Sequence, residues 1–324
     1  MKKLISIIAT AVIAATLLAS PVGASSEYLV GTISTLPTSG VGWTSVTSWA
    51  AKAAIPKLSD QNSSADVITL AKALVCARTA ARCDETKAIL ARVPGTEVGG
   101  RTLALGRGLV AYVLAADLVG YRETTFMAWV SSVKTELLDG LTLNRTQEQR
   151  PNNWGTWAGA SRIAADLYLG DSTDLARAVS VFRGYLGDRA QYTGFKFGSL
   201  SWQSNPAAPV GINPAGALIQ GHDVSGVVPD DQRRAGSFTW PPPCENYVWE
   251  SLQGTTVSAK LLSNAGYPAL SWSDASITRA VGFLNANGCP ATGDDGWVPW
   301  MIGQQGKSPS TPGKGFGFSE WLYR

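Results

Sequence analysis

The segment from Pro151 to Trp157 places two amide side chains beside two indole rings, at the predicted start of a helix. Amides bind carboxylates and hydroxyls through hydrogen bonds without adding a charge, and indole rings offer flat apolar faces that suit sugar rings. The candidate ligand-binding residues are Asn152, Asn153, Trp154 and Trp157. Their chemistry suits an acidic polysaccharide. An equally good interpretation is that an asparagine caps the helix and that both tryptophans belong to the core.

A second group of chemically useful residues lies downstream, between residues 222 and 250. Tyr247 can give or take a proton through its hydroxyl, but phenols ionise only near pH 10 in water, so the chemistry needs a nearby cation. Arg233 or Arg234 can supply that charge, or can hold a substrate carboxylate with two parallel hydrogen bonds. We prefer Arg234 for this role. The alternatives are a tyrosine packed at a helix start and a solvated pair of arginines.

His222 is the only histidine of the chain, and it lies in a glycine-containing loop. A neutral imidazole there can act as a general base, although a lone histidine is more often structural. Trp240 is a further predicted sugar platform, alongside Trp157. The predicted substrate-binding set also includes two residues beside the tyrosine, Glu245 and Asn246.

The first residues of the chain predict export. Residues 1–24 contain two lysines, then an apolar run from Leu4 to Leu18, then a small-residue cleavage site ending at Ala24. The apolar run is too short for a confident membrane span. We therefore expect the mature chain, residues 25–324, to be secreted or periplasmic and to have no membrane partner.

The charge and the cysteines exclude several classes of protein. The formal charge falls from +3 to +1 once the two signal lysines are removed, whereas nucleic-acid binders carry a clustered basic face. In an exported chain four cysteines predict disulfides, and we favour the pairs Cys76–Cys83 and Cys244–Cys289. Without a second histidine or a Cys-x-x-Cys motif we expect no zinc site, and we predict no metal and no cofactor.

Apolar residues recur at helical spacing along most of the chain, so the predicted fold class is all-α. The predicted helices start at a Ser63–Asp66 capping box and at Asp84, and then cover 101–118, 126–137, 158–169, 171–186, 246–264 and 273–285. Short extended pieces are predicted only around 195–202 and at the two ends. Two long irregular segments, 192–243 and 288–318, are expected to be functional loops. No domain boundary is evident, so we expect a single domain and a monomer.

Several motifs resemble those of alginate lyases and their superfamily. Residues 152–157, followed by the predicted helix 158–169, are similar to a helix start in that family where two asparagines precede a histidine and an aromatic residue. Residues 231–238 resemble its acidic-arginine segment, and 245–247 resemble its His-Asn-Tyr run. The sequence Gly-Ser-Phe at 236–238 is also similar to a run in chondroitin and hyaluronan lyases.

The resemblance implies an incomplete (α/α) toroid of antiparallel helical hairpins with long cleft-forming loops. It also implies β-elimination on a uronate-containing polysaccharide of the alginate, polymannuronate or glucuronan type. In this reaction Asn153 would neutralise the C6 carboxylate, while Tyr247 or His222 acts as acid or base beside Arg234. Trp154 stands where the family has histidine, so the division of acid and base work stays open.

Two other functions stay open at this stage. A toroid-shaped glycoside hydrolase would need an acid and a base carboxylate on opposite sides of the cleft, for which the candidates are Glu245, Glu250, Asp223 and Asp231. A non-catalytic glycan-binding protein would keep the aromatic platforms, and its missing histidine would mark lost activity.

Overall fold

The computed structural model describes residues 26–304 and 312–323, so the predicted export signal at 1–24 lies outside the described residues. The described part is all-α, as predicted, with one small two-stranded sheet of β1 (Leu218–Ile219) and β2 (His222–Asp223). The helices are α1 (Gly40–Ala50), α2 (Ala65–Thr79), α3 (Cys83–Leu90), α4 (Thr102–Leu118), α5 (Thr124–Val133), α6 (Leu143–Gln149), α7 (Asn153–Leu169), α8 (Ser172–Leu186), α9 (Pro229–Gln232), α10 (Asn246–Asn264), α11 (Trp272–Ala286), α12 (Trp297–Met301) and α13 (Ser319–Leu322).

Helices α4 and α7 lie side by side and run in the same direction. Gly106 of α4 faces Ala158 of α7, and a Cβ on that glycine would lie only 3.0 Å from the backbone nitrogen of Ala158. One turn further along both helices, the backbone N–H of Val110 donates to the hydroxyl of Ser161 at 3.0 Å. The contacting residue numbers increase along both helices, so α4 and α7 are parallel and their N-termini lie at the same end of the pair.

Helix α10 packs on α7 in the same parallel sense. Asn153 at the start of α7 bonds to Glu250 in α10, and one turn later Gly254 lies against the backbone of Thr156 and Trp157. A Cβ on Gly254 would come within 2.6 Å of the backbone nitrogen of Trp157, a distance that real Cβ atoms do not show. The two backbones therefore touch, and this contact fixes where the first turns of α7 and α10 lie relative to each other.

Other helices pack around α4, α7 and α10. Helix α2 packs on α4, while α1 and α3 pack on α2. Helices α6 and α8 pack on α7. Because α2, α4 and α7 are buried along most of their length, they form the inside of the molecule, as the nearly all-apolar helix 101–118 predicts.

Both predicted disulfides are confirmed. Cys76 and Cys83 close the turn between α2 and α3, and Cys244 and Cys289 join the residue before the cap of α10 to the end of α11. Disulfides persist in oxidising compartments, so this pairing is consistent with an extracellular location. The second bridge also restrains the chain segment that leads into α10.

The long segment 192–243 has more structure than its composition predicts. It contains β1, β2 and α9, and it has a small apolar core of its own in which Trp202 packs with Val224, Val227 and Phe238. The indole N–H of Trp202 donates to the carbonyl of Gly236 at 2.9 Å. The extended piece predicted around 195–202 forms no strand; the only strands in the described part of this segment are β1 and β2.

Most predicted helices are confirmed, with differences at particular elements. Helices α1, α6, α9, α12 and α13 were not predicted; α6 contains a single apolar residue, and α9, α12 and α13 are only four or five residues long. The stripe predicted to reach Leu137 ends with α5 at Val133, and Leu137 is 66% exposed. Within the described ranges no helix is both long and apolar enough to span a bilayer.

We predict that Gly254→Ala destabilises the protein by about 1–3 kcal/mol, because the new methyl group would overlap the backbone of α7. Urea unfolding measures this change. The matched control is Gly282→Ala in α11, where nothing lies within 4 Å of the added Cβ. That substitution should stabilise the protein by about 0.5–1 kcal/mol. Equal effects at the two positions would contradict close packing of α7 and α10.

Candidate functional site

The first turns of α7 and α10 meet through a hydrogen bond between side chains. Asn153 is fully buried, and its Nδ2 donates to Oε2 of Glu250 at 2.8 Å. Its Oδ1 is also buried and has no hydrogen-bond partner among the described residues. Glu250 follows Tyr247 by three residues on α10, so the two side chains lie on one face of that helix. The Asn153 amide therefore already holds a carboxylate, and it does so beside the candidate proton-transfer residue.

Asp231 connects this pair to the predicted arginine. Its Oδ1 accepts a hydrogen bond from the backbone nitrogen of Asn153 at 3.4 Å and lies 3.7 Å from Nε of Arg234. The guanidinium carbon of Arg234 lies 3.9 Å from the centroid of the Tyr247 ring, which is a cation–π contact. Full burial raises the pKa of Asp231 well above its ordinary value, and the charge of Arg234 opposes that rise.

We call Asn153, Asp231, Arg234, Tyr247 and Glu250 the α7–α10 cluster. Tyr247 is 39% exposed and Arg234 is partly exposed, whereas Asn153 and Asp231 are buried behind them. Solvent therefore reaches a phenol and a guanidinium that are backed by an amide and two carboxyl groups. Three of the four predicted catalytic residues, Asn153, Tyr247 and Arg234, are brought together here.

Asn152 and Arg233 lie in a neighbouring network that is already satisfied. The Asn152 side chain accepts from the backbone nitrogen of Trp154 at 3.1 Å and so caps α7, while its Nδ2 donates to Asp230 at 3.1 Å. Nε of Arg233 bonds the same carboxylate at 2.9 Å. The capping interpretation thus accounts for Asn152, and Arg233 anchors the long loop to α7. Binding of a substrate by either residue stays a prediction.

The predicted tryptophan platforms have different surroundings. Trp157 is fully buried, so its prediction as a sugar platform is wrong; its ring fills the core between α7 and Gly315. Trp240 is 38% exposed, and its ring stacks on His222 with centroids 4.7 Å apart and planes 10° apart. His222 also contacts Phe238. The stacking contact with His222 therefore orients the exposed indole of Trp240.

The remaining predicted residues lie near the starts of α7 and α10. Glu245 caps α10, since its side chain accepts a hydrogen bond from the backbone nitrogen of Tyr247 at 3.2 Å. Asn246 is exposed beside it. Trp154, which stands at the histidine position of the family motif, is half-buried under the guanidinium of Arg150, 4.4 Å from its ring centroid. Contacts of these residues with a substrate stay a prediction.

Sequence reasoning missed a second group of polar residues on the same side of the molecule. A cavity of about 300 Å³ is lined by Arg107 of α4 and Gln253 of α10, among others. Nε2 of Gln253 donates to Asp295 at 2.8 Å. Burial raises the pKa of Asp295 to about 7, and the negative charge of Glu250 adds to the rise. The signal that could have revealed Arg107 is a lone cation within an otherwise apolar helix.

One cluster of acidic side chains resembles a cation site. Asp166, Asp171 and Asp174 each offer a carboxylate oxygen, and these atoms lie within 4.8 Å of one another. The ammonium group of Lys134 bonds Asp174 at 2.9 Å and Asp171 at 3.2 Å, and it also bonds Asp166. Lysine already supplies the positive charge, so we assign a structural ion-pair network to this cluster and no metal.

Comparison with known families adds an independent observation. Residues 110–192 match the family model described as Alginate lyase. Over this segment the chain is similar to alginate lyases. The match indicates an enzyme of the polysaccharide lyase class. A search among curated proteins found no match to the chain.

The match bears on only part of the site of this protein. It covers about a quarter of the chain, from the middle of α4 to six residues past the end of α8, and it includes Asn152 and Asn153. Arg234 and Tyr247 lie outside it. Their connection with Asn153 therefore rests on the contacts of the α7–α10 cluster, which the family comparison does not test.

We predict opposite consequences for the two tryptophans of this protein. Trp157→Ala should cost about 3–5 kcal/mol of stability, because it empties a core position. Trp240→Ala should cost about 1 kcal/mol or less, since it removes only an exposed stacking contact, yet it should weaken binding of acidic polysaccharide. Urea unfolding and calorimetric titration measure the two effects. A Trp240→Ala protein that binds polysaccharide as well as the unaltered protein would contradict the platform.

Proposed function

We propose that this protein cleaves a uronate-containing polysaccharide, of the alginate, polymannuronate or glucuronan type, by β-elimination at the α7–α10 cluster. The observation that carries the proposal is the contact of one amide, Asn153, with a carboxylate beside an exposed phenol and guanidinium. These are the groups that the elimination needs: one to hold the sugar carboxylate, one to transfer the proton and one to stabilise negative charge.

The carboxylate of Glu250 indicates how a uronate would bind. It accepts the hydrogen bond of the Asn153 amide at 2.8 Å, so that amide is suited to a carboxylate. Because Asn153 is fully buried, a sugar carboxylate reaches it only when the Glu250 side chain turns away. We propose that the substrate carboxylate takes over this hydrogen bond. Negative charge that spreads onto the carboxylate in the transition state is then stabilised by the amide.

Tyr247 is the proposed acid and base. As phenolate it takes the proton from C5 of the uronate, the electron pair forms the C4–C5 double bond, and the bond from C4 to the glycosidic oxygen breaks. The same hydroxyl then returns a proton to the leaving oxygen, so protons and electrons balance without a further reactant. The Arg234 guanidinium lies over the ring, 3.9 Å from its centroid, and we assign to it the stabilisation of negative charge that develops in the transition state.

The position of Trp154 supports the assignment of both proton transfers to Tyr247. Trp154 has no group that can transfer a proton at the place where the family motif has histidine. His222 stacks on Trp240, and we propose that it mainly orients that sugar platform. It is the second candidate for the base, because a neutral imidazole can accept a proton near neutral pH.

The proposal also includes the wider setting of the enzyme. The parallel arrangement of α4, α7 and α10, with shorter helices outside them, supports an incomplete (α/α) toroid whose cleft lies at the N-terminal ends of these helices. The disulfides and the predicted signal support a secreted or periplasmic enzyme, and we propose that it acts as a monomer without a cofactor.

We predict that Tyr247→Phe abolishes elimination, with a loss in kcat of about 10²–10⁴-fold, since it removes proton transfer while keeping the ring that Arg234 contacts. Products are measured by the ultraviolet absorbance of their unsaturated ends, with a panel of polyuronates as substrates. The matched control is Tyr267→Phe, which removes a hydroxyl outside the cluster and should leave kcat unchanged. Full activity of the Tyr247→Phe protein would rule out the proposed mechanism.

A second candidate function has one observation in its favour. Asp295 accepts a hydrogen bond from Gln253, which follows Glu250 by three residues on α10. The pKa of Asp295 is raised to about 7 by burial, and the charge of Glu250 adds to the rise. Two carboxyl groups with different protonation states can serve as base and acid in a glycoside hydrolase. Of the other acidic candidates from the sequence, Asp231 accepts a hydrogen bond from the backbone of Asn153, Asp223 accepts one from the backbone of Ser225, and Glu245 caps α10.

Glu250→Gln separates the two functions. Elimination should keep at least about a tenth of its rate, because the substitution removes no group that we assign to proton transfer. Hydrolysis by Glu250 would instead fall by about 10²-fold or more, as expected when a general base is removed. The measurement compares unsaturated ends with newly formed reducing ends. Saturated products that disappear in the Glu250→Gln protein would favour the hydrolase.

A further inference from the structure

The cavity that contains Arg107 lies next to the α7–α10 cluster. Gln253 lines it and follows Glu250 by three residues on the same face of α10. Tyr247 and Gln253 are separated by about 9 Å along the helix axis, a distance that a short oligosaccharide can span. Beyond Gln61 and Asn62 the cavity continues into an open pocket of about 480 Å³. This open pocket leaves room for further sugars of a polymer that reaches Arg107.

Arg107 has no close anionic partner among the described residues, while its positive charge lowers the pKa of Asp295 from a distance. Its Nε is buried and has no hydrogen-bond partner among the described residues, and none of them forms an ion pair with the guanidinium. A buried donor without a partner costs stability, which makes it a sign of a ligand. Lys314, the other cation of the lining, is already bound to Asp66 at 3.0 Å.

Gln253 offers a complementary group in the same cavity. The residue is 3% exposed, and its Oε1 is buried without a partner among the described residues. Its Nε2 is fixed by Asp295 at 2.8 Å, so the amide has a defined orientation. A guanidinium next to an unused amide oxygen suits a ligand that carries both a carboxylate and hydroxyls. Asp294 also lines the cavity. Because its carboxylate repels anions, a ligand carboxylate would bind on the side of the cavity where Arg107 lies.

We propose that Arg107 and Gln253 form a second carboxylate-binding position, which holds a neighbouring uronate of the polymer while another uronate reacts at Tyr247. This inference rests on the proposed function, and it makes the enzyme selective for stretches in which successive sugars are acidic. Trp49, which also lines the cavity, offers an indole beside the bound sugar.

The test measures binding in the Tyr247→Phe protein, so that the ligand is not cleaved. Mannuronate and glucuronate tetrasaccharides are titrated by calorimetry, each also in a form whose carboxyl groups are reduced to alcohols. Adding Arg107→Met should weaken binding of an acidic tetrasaccharide by about tenfold or more, as for a lost charge-assisted hydrogen bond. The reduced forms should bind the two proteins equally.

Two further variants serve as controls. Arg92→Met removes an exposed arginine just after α3, whose side chain donates to the carbonyl of Ala88 in that helix, and it should leave the affinity unchanged. Arg107→Lys keeps the charge but not the fork of donors, so its affinity should fall between that of the protein with Arg107 intact and that of the Arg107→Met protein. Urea unfolding shows that each variant is folded.

The outcomes distinguish this inference from the proposed function. If the unaltered protein releases unsaturated products while Arg107→Met leaves the affinity unchanged, the second position is wrong and the elimination stands. If no uronate polymer is cleaved but an acidic tetrasaccharide binds in a manner that depends on Arg107, the second position is upheld and the elimination is wrong. Loss of affinity for the reduced tetrasaccharides as well would also contradict carboxylate recognition.

Discussion

The hydrogen bond between the Asn153 amide and the Glu250 carboxylate is the interaction on which the candidate site depends. It is possible only because Gly254 lets α10 touch the backbone of α7, which brings the first turns of the two helices together. Tyr247 lies on the same face of α10, and Asp231 joins the start of α7 to Arg234. Close packing of two helices thus assembles groups from three separate parts of the sequence.

Much of the helical architecture could be predicted, because it follows from local pattern. The capping aspartate at 171, the helix 246–264 and both disulfides are confirmed. The sequence also indicated Asn153, Arg234 and Tyr247 as a group, but only through a family resemblance. Their contact depends on the closeness of α7 and α10, and a single glycine in a helix does not show which backbone lies against it.

The errors have a common physical origin. Trp157 and Trp240 have the same side chain, and only tertiary packing decides that the first is in the core while the second is half-exposed on His222. Asn152 and Asn153 are adjacent, yet one caps a helix and the other bonds Glu250. Arg107 was missed because it is notable only for its buried Nε, which has no hydrogen-bond partner among the described residues. No sequence pattern reveals a missing hydrogen bond.

The central claim is that a sugar carboxylate replaces Glu250 on the amide of Asn153. A crystal structure of the Tyr247→Phe protein with a bound uronate oligosaccharide tests it most directly, through the distance between the sugar carboxylate and Nδ2 of Asn153. The account predicts a hydrogen bond between these two groups, with the Glu250 side chain turned away. A bound sugar whose carboxylate lies elsewhere, while Glu250 still holds Asn153, would contradict it.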